Sequence, residues 1–478
     1  MRFDEYASYD GLGLAELIEK GEVTPLELVE ACIERIEKHN PKINAVVLRM
    51  DDMARQACAG VLPDGPFRGV PYMLKDILAQ HAGVSTSAAC RAIKNLNVIS
   101  PIDSELVARY KRAGLICVGK TNCSELGLTN TTGPLLFGPT RNPWDTSRIP
   151  GGSSGGSGAA VACGMVPFAH GNDIGGSIRI PSSCCGLVGL KPTRARNPLG
   201  PIYGDLASGT VQEHVLSRTV RDSAAVLDAT AGPDLGDPYW APPPVGRFLD
   251  AARRYPGRLR IAFSTTDVKG GPLHEDCVNA VENAARLCES LGHVVEPARP
   301  AFDLDIYRVC FGTLFLACIS SVVNFFETST GIKAREDGFE PLTLAAAEMA
   351  KGISAGAYLN AVTGLQSIAR EIARFFKTYD VWLTSTVGSP PPLIGHVNVS
   401  SSDFMSEVQK MEAFSPICPL ANATGQPSIS LPLHWNVDDL PIGVLFTGRF
   451  GDEETLLSLA AQLEQAAPWR DKHPPIGG

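Results

Sequence analysis

Short segments that are apolar almost end to end recur along this chain: INAVVL (43–48), VPYML (70–74), LICVG (115–119), VPFAH (166–170), LRIAFS (259–264), VWLTST (381–386), SISLPL (428–433) and IGVLFTG (442–448). A strand apolar on both faces has to be covered on both faces, as when helices flank a largely parallel sheet. Helical periodicity occupies intervals between them, at 219–231, 273–291, 303–328, 354–378 and 453–466. This alternation predicts an α/β protein whose central sheet is covered by helices on both faces. Residues 1–60 read as a mainly helical N-terminal segment. There, Thr24-Pro25-Leu26-Glu27 forms a capping box with proline at the first helical position. The helix it opens is expected to run to His39 and stop at Asn40-Pro41. No internal repeat or low-complexity linker interrupts the chain, and the proline-rich APPPVG (241–246) and SPPPLIG (389–395) read as loops. One domain over residues 1–478 is expected.

Composition excludes several functions. Of the residues, 44% are apolar and 19% charged, which is ordinary for a globular protein. A net charge of −9 argues against nucleic acid or an anionic membrane as partner, since neither polyanion attracts an acidic surface. The opening MRFDEYASYD lacks the basic and apolar regions of a secretory signal, so a cytoplasmic location is expected. Val309–Phe326 is uncharged but interrupted by Gly312, Ser320, Ser321 and Asn324, and reads as a buried helix beside a pocket rather than a membrane span. Thirteen cysteines without C-x-x-C spacing read as small buried hydrophobes, Cys184 and Cys185 included. Nine histidines show no H-E-x-x-H pairing, and no phosphate-loop or dinucleotide fingerprint occurs, so neither a metal nor a cofactor is expected.

Three segments carry chemistry. PGGSSGGSGAAVACG (150–164) has the composition of a flexible linker, yet GAAVA continues directly into a small-residue helical run. A glycine-rich loop opening a buried helix turns backbone N–H groups toward an anion or a developing oxyanion. Two overlapping G-x-S-x-G matches, centred on Ser153 and Ser154, raise a nucleophile elbow, but that device needs a strand directly before the serine. Here a loop, RNPWDTSRIP, precedes it. The second segment, HGNDIGGSIRIPSSCCG (170–186), places Gly175-Gly176 before Ser177, a turn able to point successive N–H groups into one concavity with a nucleophile at its edge. Asp173 and Arg179 flank that turn. The third is Lys75 in GVPYMLKD, after an apolar run that would desolvate its amine. Burial lowers a lysine pKa, and a neutral amine can act as a base toward serine.

Together, Lys75, GGSSGGS and DIGGSIRIP resemble the amidase signature family, and Ser177 follows Ser153 by the 24 positions of that pattern. The resemblance extends through GKTNCSELGLTNTTGPLLFGPTRNPW (119–144), GLVGLKPT (186–193), RTVRDSAAVLDATAGPDLGDP (218–238), GQPSISLP and PIGV. It implies a large mixed sheet, Ser177 as nucleophile and Lys75 as ultimate base. Ser153 is the relay between them, after a cis Gly152–Ser153 peptide. The N–H groups of Ile174, Gly175, Gly176 and Ser177 form the implied oxyanion hole, and Ser154, Asp173 and Arg179 orient the loops. GPFRGVPYMLKD, AHGND and the terminal APW are similar to the branch of 6-aminohexanoate cyclic-dimer hydrolases and related bacterial amidases. Asn172, Ile174, Ile180 and Ser182 depart from the amidotransferase A-subunit pattern, and Thr131-Thr132-Gly133-Pro134 departs from the family's usual T-T-E-P.

Substrate choice is expected to reside in segments near 200–215 and within 303–415, where Phe311, Phe315, Phe325, Phe326 and Phe339 predict an apolar pocket. The expected activity is hydrolysis of small neutral aryl, alkyl or cyclic amides through an acyl-enzyme. A carbamate hydrolase with the same triad and an amidotransferase A-type subunit are the alternatives. The expected partner is the small-molecule substrate alone, in a monomer or homodimer.

Overall fold

The computed structural model describes residues 3–477, so Met1, Arg2 and Gly478 of the expected domain lie outside the described residues. One mixed sheet of 11 strands organises the chain. Its strands are β1 (Val46–Arg49), β2 (Pro71–Lys75), β3 (Ile116–Thr121), β4 (Phe168–Asp173), β5 (Val188–Lys191), β6 (Gln212–Ser217), β7 (Arg260–Phe263), β8 (Val294–Pro297), β9 (Val381–Ser385), β10 (Ser428–Trp435) and β11 (Pro441–Gly448). They lie in the order β1-β3-β2-β4-β6-β5-β10-β11-β9-β7-β8. Parallel pairs occur toward the two ends, β3-β2-β4 and β9-β7-β8, and antiparallel pairs fill the centre from β4 to β9. Strands β2, β3, β4, β5 and β6 are buried at every residue, as double-sided cover requires. One continuous hydrophobic core runs from Tyr6 to Trp469.

All eight apolar segments fall on strands, with ends shifted by up to three residues. Three further strands were hidden. β6 reads QEHVLS, and its Gln212, Glu213 and His214 are nevertheless buried. Local polarity masks a strand when partners come from elsewhere in the fold. Here Gln212 Oε1 accepts from the Ala195 N–H at 3.1 Å and His214 Nε2 sits 3.0 Å from Ser223 Oγ. The segment 200–215, expected near the pocket, therefore contributes its last four residues, 212–215, to β6 at the sheet centre.

The Thr24 capping box is present, but the helix continues through Pro41 to Ile43. The missing Pro41 N–H falls in a last turn held by other bonds. Asn44 closes it in the left-handed conformation, and Asn40 Oδ1 accepts from the amides of Ala45 and Val46. The helix Leu304–Thr330 also differs from expectation. It buries only the stripe Tyr307, Cys310, Leu314, Ile319, Val323 and Phe326, and Val309 and Phe325 are exposed. It packs through that stripe against the helices Pro341–Ala350 and Ala355–Phe375, so a long apolar segment is covered on one side only. By length and composition this one described helix could cross a bilayer. All thirteen cysteines are free, and all but Cys58 and Cys318 are buried.

Candidate active site

Period-two alternation in β4 sends His170 and Asn172 to one face and Asp173 to the other. The first pair meets Lys75, the last residue of β2, which runs parallel beside it in the register Met73↔Ala169. Lys75 Nζ is 2.5 Å from Asn172 Oδ1 and 2.7 Å from Ser153 Oγ. The Lys75 backbone N–H donates to His170 Nδ1 at 3.3 Å, and His170 Nε2 is 3.3 Å from Glu213 Oε1. Lys75 is fully buried and has no carboxylate in contact. Burial lowers its pKa to about 8 against the opposing fields of Cys123, Asp173 and Glu213.

A neighbouring lysine shows what this arrangement avoids. Lys120 on β3 is equally buried, but its Nζ lies 3.4 Å from Asp76 Oδ1 and donates to the Ser85 carbonyl and Thr86 Oγ1. That amine is part of an ion pair. The Lys75 amine has no such carboxylate partner.

Ser153 sits on a loop that only glycine could form. A Cβ at Gly152 would approach the Thr131 backbone to 2.6 Å, and the Gly152–Ser153 peptide is cis. Thr132 ties the loop down. Its Oγ1 donates to the Gly151 carbonyl and accepts from the Gly155 N–H, each at 3.0 Å. The helix Gly155–Ala162 follows directly, and no strand precedes the serines, which excludes the nucleophile elbow. Two of the amides at this helix start are not available to an anion. The Gly155 and Gly156 amides are taken by Thr132 Oγ1 and the Asn122 carbonyl, because the loop needs them to hold its own shape.

The turn carrying Ser177 is templated by a buried ion pair. Asp173 accepts from Arg179 Nε and Nη2 at 3.0 and 2.8 Å, from the Gly176 and Ile178 amides at 2.7 and 3.0 Å, and from Asn422 Nδ2 at 2.9 Å. Burial alone would raise the Asp173 carboxyl, but the Arg179 guanidinium outweighs it and holds the group well below the usual range. Arg179 also donates to the Cys418 carbonyl, Ser428 Oγ and Asn422 Oδ1. Gly176 adopts φ +123°, and a Cβ there would meet Ile180 at 2.6 Å. Ser154 joins the two loops: its N–H donates to the Ser177 carbonyl, and its Oγ to the Asn172 carbonyl.

One predicted oxyanion donor is corrected. The Gly176 N–H belongs to Asp173, whose carboxylate shapes the turn, so it does not face an incoming oxygen. The amides of Ile174, Gly175 and Ser177 make no hydrogen bond to the described residues. Ser177 Oγ is likewise unpartnered, and at 7% exposure the residue is more open than Ser153 at 1% or Lys75 at 0%. No hydrogen bond joins Ser177 Oγ to Ser153 Oγ. Among the described residues no three His, Cys, Asp or Glu side chains are grouped to hold a metal ion.

The five expected pocket aromatics separate. Phe311 lies 4.0 Å from the Cβ position of Gly175, opposite Pro419, and stacks between Tyr307 and Phe315. Phe326 and Phe339 pair edge to face in a side cluster, and Phe325 points to solvent. Asn172, Thr132, Asn422, His170 and Glu213 were not anticipated. Only Asn172 and His170 had a signal, as neighbours of Asp173 on one strand.

Comparisons with known proteins show the family and the fold. The family model Amidase matches residues 27–457. A 6-aminohexanoate-cyclic-dimer hydrolase of Paenarthrobacter ureafaciens is 36% identical over 98% of this chain and 96% of its own length. One from Pseudomonas sp. (strain NK87) is 36% identical, again over 98% and 96%. A solved structure of 6-aminohexanoate cyclic dimer hydrolase with substrate superposes with a TM-score of 0.93 at 34% identity, covering 99% of this chain and 100% of that one.

Proposed function

The chain belongs to the amidase family and is a C–N hydrolase of non-peptide amide bonds; from that premise we propose that it acts on small, neutral, largely apolar amides, cyclic amides among them, through an acyl-enzyme on Ser177. The observation carrying this reading is the 2.7 Å contact between Ser153 Oγ and a Lys75 amine that is buried without a carboxylate, beside an unpartnered Ser177 hydroxyl. Neutral Lys75 takes the Ser153 proton while Ser153 takes that of Ser177, and Ser177 Oγ attacks the acyl carbon. Substrate binding draws Ser177 Oγ onto Ser153, closing the leg that is open in the free protein.

The oxyanion forms against the amides of Ile174, Gly175 and Ser177. The relay then reverses and protonates the leaving nitrogen, without which an amide anion would have to depart. Water, deprotonated along the same route, releases the acid. Phe311 and Pro419 flank the oxyanion turn and supply an apolar wall, which supports a neutral acyl group over a charged one. The relatives' named substrate supports cyclic amides as a class to test first.

The test is a panel of cyclic amides, anilides, linear alkyl amides and carbamates, read by product release and by intact mass. The expected result is turnover of neutral amides with a transient acyl adduct on Ser177. Turnover that survives Ser177→Ala, or an adduct on another residue, overturns the assignment.

A further inference from the structure

We infer that Asn172 is the positioning residue that fixes one N–H of the neutral Lys75 amine and so keeps its lone pair to the directions that include Ser153. The inference rests on the triad reading above. A neutral primary amine has two N–H bonds and one lone pair, and only the lone pair can take a proton from Ser153. Asn172 Oδ1, at 2.5 Å from Nζ, can only accept, so it claims one N–H. Ser153 Oγ occupies a second direction at 2.7 Å. With Asn172 only one N–H competes with the lone pair for the Ser153 direction; without the acceptor both do, and an N–H there donates where the amine should accept.

Packing alone does not account for an asparagine here. The residue is buried, and its Nδ2 has no partner, so the side chain carries an unsatisfied donor into the core for the sake of its oxygen. The neutrality of the acceptor matters as much as its position. A carboxylate on Lys75, like Asp76 on Lys120, would orient the amine but hold its proton. Asn172 orients without holding. The other titratable groups facing this amine are Cys123, from the loop after β3, Asp173 at the end of β4 and Glu213 on β6, with His170 bonded to the Lys75 backbone. None of them contacts Nζ.

The experiment follows phosphonylation of Ser177 by a fluorophosphonate across pH. Ser177 Oγ forms the P–O bond, the P–F bond breaks, fluoride leaves, and the hydroxyl proton passes through Ser153 to Lys75. For the natural sequence, labelling confined to Ser177 is expected, with a rate that rises as Lys75 deprotonates. Asn172→Asp should move the midpoint of that rise up by about one pH unit or more, so the rate at pH 7 falls roughly tenfold. Asn172→Leu, close in size but unable to accept, should leave the midpoint unraised and lower the high-pH plateau by about tenfold or more. Either variant suffices if the other does not fold. A Ser177-specific label with an unmoved midpoint in Asn172→Asp, or a plateau within about twofold in folded Asn172→Leu, overturns this inference alone. Failure to label Ser177 in the natural sequence overturns the triad reading and this inference with it.

Discussion

Residues 150–191, which carry Ser177, and residues 303–415 are built on opposite principles. In the first, nearly every residue is buried, side chains are small, and shape comes from hydrogen bonds: Thr132 to the Ser153 loop, and Asp173, Arg179 and Asn422 to the Ser177 turn. In the second, long helices bury one stripe each, and aromatic side chains do the filling. The difference teaches where change is tolerated. A turn specified by hydrogen bonds has one arrangement, because each buried polar group that loses its partner is destabilising. A helix face specified by apolar contact can be refilled with another side chain of suitable volume. On the proposed reading, the two serines of the relay belong to the first region and the apolar wall of Phe311 to the second.

Ser177→Ala should break the comparison most visibly. Turnover is expected to fall by about 10³-fold or more with no loss of fold, and Lys75→Ala should be nearly as damaging, as measured on an anilide. Next comes Arg179→Met, which leaves Asp173 buried and unpaired. We expect a loss of about 3–5 kcal/mol in urea unfolding, with activity lost alongside the turn.

The third prediction concerns pH. Lys75 acts as a base when neutral, so kcat/KM should rise through about pH 8 and level off above it. Stability should follow the same group. Its folded pKa is lowered from 10.5 to about 8, so below that value burial of the charged amine opposes folding. Between about 8 and 10.5 the unfolded chain binds more protons, and stability increases with pH by roughly 3 kcal/mol. A Lys75→Met variant should lose that slope, as read by unfolding midpoints across the window.

The remaining two sharpen the contrast from the tolerant side. Phe311→Ala should alter the ratio of aryl to alkyl amide kcat/KM by about tenfold, because one wall of the site is removed, while the pH midpoint stays in place. Phe325→Ser, on the solvent side of the same helix at 71% exposure, should change stability by no more than about 0.5 kcal/mol and leave selectivity untouched.

Legibility followed the same division. The eight apolar strands and the helices at 220–230, 275–290, 304–330, 355–375 and 453–466 were readable because burial on both faces, or on one stripe, imprints a period on the residues themselves. β6 was not, since its polar side chains are buried by the fold: Gln212 Oε1 accepts from the Ala195 N–H and His214 Nε2 meets Ser223 Oγ, contacts that no pattern within QEHVLS announces. Arg179 and Asp173 could be seen flanking the turn. Asn422, which bonds both, could not, because 243 positions separate it from Arg179.

By itself the sequence determined the residue types of the reaction: an amine after an apolar strand, two serines on glycine-rich loops, and a spacing that ties them to one family. Those are local properties of composition and order. The tertiary structure alone decided which amides remain free for an oxyanion, since the competing acceptor for Gly176 is a carboxylate whose orientation depends on Arg179. It also decided that the Lys75 amine meets Ser153 and Asn172 with no carboxylate in contact. Hydrogen-bond direction and desolvation arise only when segments far apart in the chain are brought within 3 Å, and no pattern along the chain encodes that distance.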